Sequence, residues 1–112
     1  MAKKESEFQS NLIKEIKIRL PGCVVTKIET YIQGFPDLLI LFKSKWAMLE
    51  CKREEDAARQ PNQPYYVDLL NKMSFASFIY PENKEEVLSA LEQSFKSVRK
   101  TRGTQSESIL LD

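Results

Sequence analysis

Residues 34–52 read GFPDLLILFKSKWAMLECK. Gly34-Phe35-Pro36 has turn chemistry, and Asp37 opens an apolar run that ends at Phe42. Lys43-Ser44-Lys45 is a hairpin-sized connection, and Trp46 to Cys51 is a second apolar run. Two such runs joined this way predict adjacent antiparallel strands. Side chains alternate across a strand, so Glu50 and Lys52 project one way while Leu49 and Cys51 project into the core. With the hairpin centred near Ser44, Asp37 and Glu50 lie about equally far from it and come level across the ladder.

Working outward, Ser6 to Leu20 predicts an amphipathic helix with Phe8, Leu12, Ile13, Ile16 and Leu20 on one face. Ser6 and Gln9 have the form of a capping box, and Pro21-Gly22 stops the helix. Cys23 to Ile28 is β-branched enough for a strand, followed by a turn region from Thr30 to Pro36. Arg53 to Asn62 is polar and reads as a loop. A helix is expected from about Gln63 to Met73, with Pro64 tolerated in its first turn and Tyr66, Leu69, Leu70 and Met73 as its stripe. Phe75 to Tyr80 predicts a fourth strand. Asn83 is placed to cap a last helix, with Glu86 at the capping-box position and Val87, Leu88, Leu91 and Phe95 inward. The expected architecture is α/β: a small mixed β-sheet flanked by helices, in the order helix-strand-strand-strand-helix-strand-helix. Residues 1–96 form one domain in this reading, and residues 97–112 a basic, flexible C-terminal tail.

Composition narrows the chemistry. A chain of 112 residues, 42% hydrophobic and 29% charged, is sized and balanced for one soluble globular domain. No apolar run approaches the roughly 20 residues needed to span a bilayer, and the N-terminus lacks a signal-peptide core, so an intracellular location without membrane partners is expected. Cys23 and Cys51 have no metal-ligand spacing and read as buried thiols. There is no histidine, which excludes Ser-His-Asp hydrolysis, histidine nucleophiles and His-ligated zinc. Net charge is only +1, so phosphate contact must come from a local patch, such as Lys96, Arg99, Lys100 and Arg102.

Two carboxylates side by side repel unless they share a proton or a cation. Asp37 and Glu50 on a rigid ladder suit Mg²⁺, which takes one or two carboxylates plus substrate phosphates. Lys52 would orient the attacking water, help deprotonate it, or stabilise charge on the attacked phosphate. The set therefore predicts metal-assisted phosphodiester hydrolysis. Taken alone, Glu50-x-Lys52 is far more often a solvated pair at a strand end; the ordered combination of strands, helices and acid carries the reading.

Gly34-Phe35-Pro36-Asp37 followed by Glu50-Cys51-Lys52 resembles the PD-(D/E)xK nuclease signature. The wider pattern is similar to the VRR-NUC branch, especially its small stand-alone bacteriophage proteins, over roughly Glu7 to Leu91. It includes Ser6-Glu7-Phe8-Gln9, Tyr31-Ile32-Gln33-Gly34, Pro61-Asn62-Gln63 and Ile79-Tyr80-Pro81-Glu82-Asn83. The resemblance implies a restriction-endonuclease-like core. It implies Asp37, Glu50 and the Cys51 backbone carbonyl as metal ligands, and Lys52 as the catalytic lysine. Glu7 would be the first-helix acid and Gln63 the helix glutamine near the phosphate. It further implies Mg²⁺, with Mn²⁺ able to substitute, and a homodimer acting on branched DNA such as Holliday junctions. A phage protein would then work in the cytoplasm of a bacterial host.

Competing readings stand beside these. Glu7 is also explained by the helix dipole, and Glu5 competes with it for the site. Gln63 is also a plausible solvent-facing first-turn residue, and Gln33 a turn residue. Tyr31 and Trp46 could stack on bases, although packing suits Trp46 better. Lys43, Lys45, Arg53 and Arg59 are candidate phosphate contacts or plain surface. Glu54-Glu55-Asp56 opposes a phosphate track through its loop. The alternative function is a non-catalytic DNA-binding or assembly domain with a nuclease fold. A sequence-specific restriction enzyme ranks lower, because little chain is left for base reading.

Overall fold

The computed structural model describes residues 2–59 and 62–96. Its elements are α1 (Ala2–Arg19), β1 (Val24–Lys27), β2 (Leu38–Phe42), β3 (Lys45–Cys51), α2 (Gln63–Met73), β4 (Phe75–Ile79) and α3 (Lys84–Lys96). Pro61 and the basic residues Arg99, Lys100 and Arg102 lie outside the described residues, as does the expected tail.

The four strands form one mixed sheet in the order β1-β2-β3-β4. β1, β2 and β3 run antiparallel, while β3 and β4 are parallel, joined by the α2 crossover. The β2–β3 register pairs Leu38 with Leu49 and Phe42 with Lys45, leaving Lys43-Ser44 as a two-residue turn. Lys43 takes the positive φ of 58° that such a tight reversal requires. Continuing that register one step places Asp37 opposite Glu50, as the hairpin symmetry predicts.

Alternation along the strands serves two separate cores. Leu38, Ile40, Ala47, Leu49, Cys51 and Ile79 meet Leu12, Ile16 and Leu20 of α1 and Val87, Leu88, Leu91 and Phe95 of α3. On the other face, Met48 and Ala76 pack against Val67 and Leu70 of α2, with Trp46 and Phe78 at the margin. Trp46 thus belongs to packing. Arg19 of α1 bonds Glu85 and Glu92 of α3 as well as its own Glu15, and Lys84 also reaches Glu15. These ion pairs join the two helices above the first core.

Four local expectations need correction. The first helix starts at Ala2, so Ser6 lies inside it and has no capping role there. The buried stripe of α2 is Gln63, Val67 and Leu70, with Tyr66 half-buried, while Met73 is 64% exposed. The helix is rotated so that its stripe begins with a polar residue, which reaches the site described below. Asn83 does precede α3, but its side chain turns back: Oδ1 accepts from the Tyr80 N–H and Nδ2 donates to the Phe78 carbonyl. The outer backbone groups of β4 are the stronger claim on that amide, because an unpaired strand edge must be satisfied. Lys45 is likewise committed, donating to the Phe95 carbonyl near the end of α3.

Candidate active site

Glu50 and Lys52 sit at the end of β3, where side-chain alternation turns both away from the α1–α3 core. Both are buried, at 4% and 7% exposure. A solvated surface pair would look nothing like this. Glu50 Oε2 accepts a 2.7 Å hydrogen bond from Gln63 Nε2 and lies 3.8 Å from Lys52 Nζ. Glu50 Oε1 is buried with no hydrogen-bond partner. Such an orphaned oxygen costs free energy unless a ligand meets it. Lys52 Nζ donates to the Ala58 carbonyl at 3.0 Å.

Asp37 arrives from the turn before β2. Its Oδ1 accepts the Cys51 backbone N–H at 3.2 Å, across the ladder. The turn is fixed behind it: Gly34 has a φ of +87°, and a Cβ there would come within 2.6 Å of the Asn62 side chain. Asn62 Nδ2 also donates to the Gln33 carbonyl. The turn carrying Asp37 therefore abuts the start of the helix carrying Gln63.

The electrostatics follow from crowding acids out of water. Burial first, and then the Asp37 charge, push the Glu50 carboxyl up to about 8; Lys52 works against this and Glu5 adds to it. Asp37 is also raised by burial, with the Cys51 N–H opposing and Glu5 contributing. Burial similarly raises the Cys51 thiol, which shares a hydrogen bond with the Gln9 side chain. Cys51 and the half-buried Cys23 are both free thiols.

The structure thus brings together Asp37, Glu50, Lys52 and Gln63. The two candidate acids on α1 differ in setting. Glu5 is half-buried and its charge bears on both carboxylates, whereas Glu7 is exposed. Glu5 lines a cavity of about 380 Å³ with Ser6, Gln9 and Arg53. Glu5 and Gln9 are four residues apart, one helical turn on the same face, and that spacing was the available signal for them. Tyr31 is 97% exposed, free of any packing role. Glu54, Glu55 and Asp56 are exposed.

A divalent cation fits this donor set. Among the described residues, no group of three or more His, Cys, Asp or Glu side chains is placed to hold a metal. The side-chain ligands would be Asp37 and Glu50 alone, with peptide oxygen and water or substrate completing the shell. An all-oxygen set with only two carboxylates is what Mg²⁺ accepts, and the unpartnered Glu50 Oε1 is the atom it would satisfy.

A solved structure described as a "VRR_NUC domain" is similar, with a TM-score of 0.61 over 79% of this chain and 92% of that chain, at 23% identity. The chain has the VRR_NUC fold. Its mixed four-stranded sheet flanked by helices is a restriction-endonuclease-like core. No family model matches the sequence, and no curated protein does. Within the VRR_NUC fold, the acid, Glu-x-Lys and helix glutamine of this chain converge at one end of the central strands.

Proposed function

We propose that this chain is a Mg²⁺-dependent endodeoxyribonuclease that hydrolyses phosphodiester bonds. The observation that carries the reading is Glu50 Oε1, a buried and unpartnered carboxylate oxygen on a residue level with Asp37, whose other oxygen, Oε2, lies 3.8 Å from the Lys52 ammonium. No packing purpose is served by burying two acids together, since their repulsion opposes folding. A bound divalent cation would supply charge neutralisation and polarisation of the attacked phosphate.

The chain's own residues do the rest. Gln63 holds Glu50 Oε2 at 2.7 Å, which leaves Oε1 as the oxygen that would take a cation. The Cys51 N–H holds Asp37 Oδ1 at 3.2 Å. Lys52 brings a donor to the oxygens that gain negative charge as water adds to phosphorus and one P–O ester bond breaks. A preformed donor is worth more there than in water, because the surrounding site is dry. Gln63 keeps Glu50 in one rotamer; it needs no contact with the phosphate to matter.

Branched DNA is the proposed substrate and a homodimer the proposed assembly, both on the strength of the sequence resemblance. Two symmetric sites suit a symmetric junction with two strands to cut. With a net charge of +1, doubling the surface would also strengthen backbone attraction.

The test is cleavage of labelled four-way junction, flap and linear duplex DNA with Mg²⁺ or EDTA, with light scattering to give the mass in solution. Cutting should require Mg²⁺, favour the branched substrates, and fall roughly 100-fold or more in Asp37→Ala and Lys52→Ala. Lys52→Ala should still bind DNA. Intact DNA binding without cutting of any substrate would leave a binding module, and a monomer that resolves junctions would remove the dimer.

A further inference from the structure

After Lys52 the chain folds back across the site as a strap. At its far end two contacts lie one residue apart. Lys52 Nζ donates to the Ala58 carbonyl at 3.0 Å, and the Arg59 guanidinium carbon lies 4.2 Å from the centre of the Phe78 ring. Phe78 pairs in register with Glu50 on the parallel ladder, so the guanidinium is seated on the strand beside the acid.

We propose that Arg59 is a positioning residue: stacked on Phe78, it anchors the strap whose Ala58 carbonyl aims the Lys52 ammonium at the reacting phosphate. Three observations support this. A lysine has a flexible four-carbon stem and a compact charge, so the acceptor at hydrogen-bond distance, nearer than Glu50 Oε2 at 3.8 Å, decides where the ammonium rests. Ala58 supplies that acceptor, yet it is itself exposed, as are residues 53–56, so packing contributes little to holding it. Arg59 is the next residue, and a cation on a ring face is a directional contact that fixes the adjoining peptide. Arg59 acts through the strap and not by its own field, since the charges acting most on Glu50 are those of Asp37, Lys52 and Glu5.

The catalytic consequence rests on the nuclease reading; the anchoring does not. Two arms keep them apart. In cation-free, DNA-free protein, reductive methylation of lysines mapped by mass spectrometry should leave Lys52 protected. Arg59→Gln should speed its labelling several-fold while the melting temperature holds, because Arg59 is exposed. In steady-state cleavage, Arg59→Gln should lower kcat about tenfold and leave KM nearly unchanged. Arg59→Lys, which keeps a cation over the ring, should fall between. Phe78→Leu should give the same kcat loss, and the double variant should add nothing to it.

Unchanged Lys52 labelling in Arg59→Gln would overturn the anchor. A rise in KM and in the dissociation constant for DNA, with kcat intact and effects additive with Phe78→Leu, would make Arg59 a phosphate contact instead. If wild-type protein cuts no DNA, the nuclease reading fails, and the labelling arm still decides whether Arg59 holds the strap.

Discussion

Glu50 shows how one residue can hold both a cost and a purpose. Its carboxyl ordinarily titrates near 4.5 and is pushed to about 8 here, first by burial and then by Asp37. The folded state therefore binds this proton more tightly than the unfolded state does. Between about 4.5 and about 8, stability must fall as pH rises, because the folded protein is increasingly forced to bury a charge. Asp37 is raised as well and contributes with the same sign. Thermal melts of cation-free protein should show a declining melting temperature across that window. Glu50→Gln should flatten the decline, since the amide cannot ionise. Mg²⁺ added near pH 8 should restore stability to the wild type and little to Glu50→Gln, because a ligand bound only by the folded state stabilises it. A melting temperature that rises across the window would contradict the burial of Glu50.

The junction between the turn at Gly34 and the N-terminus of α2 belongs to the scale of elements. Gly34 needs its φ of +87°, and a Cβ would also meet Asn62 at 2.6 Å. Gly34→Ala should therefore cost roughly 1–3 kcal/mol in denaturant unfolding. It should also reduce cleavage, because the turn carries Asp37 and the helix carries Gln63. A fully stable Gly34→Ala protein would mean the turn and helix start separate easily. The sequence marks this region as a turn and Pro64 as a first-turn residue, but not that the two meet. That approach depends on a contact across 28 positions of chain, between Gly34 and Asn62. The same limit hid the α2 stripe. Hydrophobicity alone ranks Met73 above Gln63, while in the fold Gln63 is buried and donates to the Glu50 carboxylate across the interface.

Across the whole molecule, α1 and α3 cover one face of the sheet and are held together by Arg19 among three glutamates. Glu85 is largely exposed, so that bridge is screened and weak, while Glu15 and Glu92 are about three-quarters shielded. Arg19→Leu would leave the acids facing one another with only lysine counter-charges. It should lower the unfolding free energy by about 1 kcal/mol at low salt. The difference from wild type should shrink at high salt, where surface charge is screened. An effect independent of salt would assign Arg19 to packing by its stem.

The sequence by itself determined the element order, the antiparallel β2–β3 hairpin and the approach of Asp37 to Glu50, while the structure closes that hairpin with Lys43-Ser44 and puts Lys45 in β3, where the sequence offers a three-residue connection. The hairpin follows from local periodicity and from its approximate symmetry, which act over a few neighbouring residues. It also determined that any acid chemistry must proceed without histidine. Only the tertiary structure decided that Glu50 and Lys52 are buried, that Glu5 faces the pair, that Gln63 holds Glu50, and that Ala58 and Arg59 return over the site. Burial, field and hydrogen bonding between distant segments depend on how the helices pack on the sheet, and no local pattern encodes that distance.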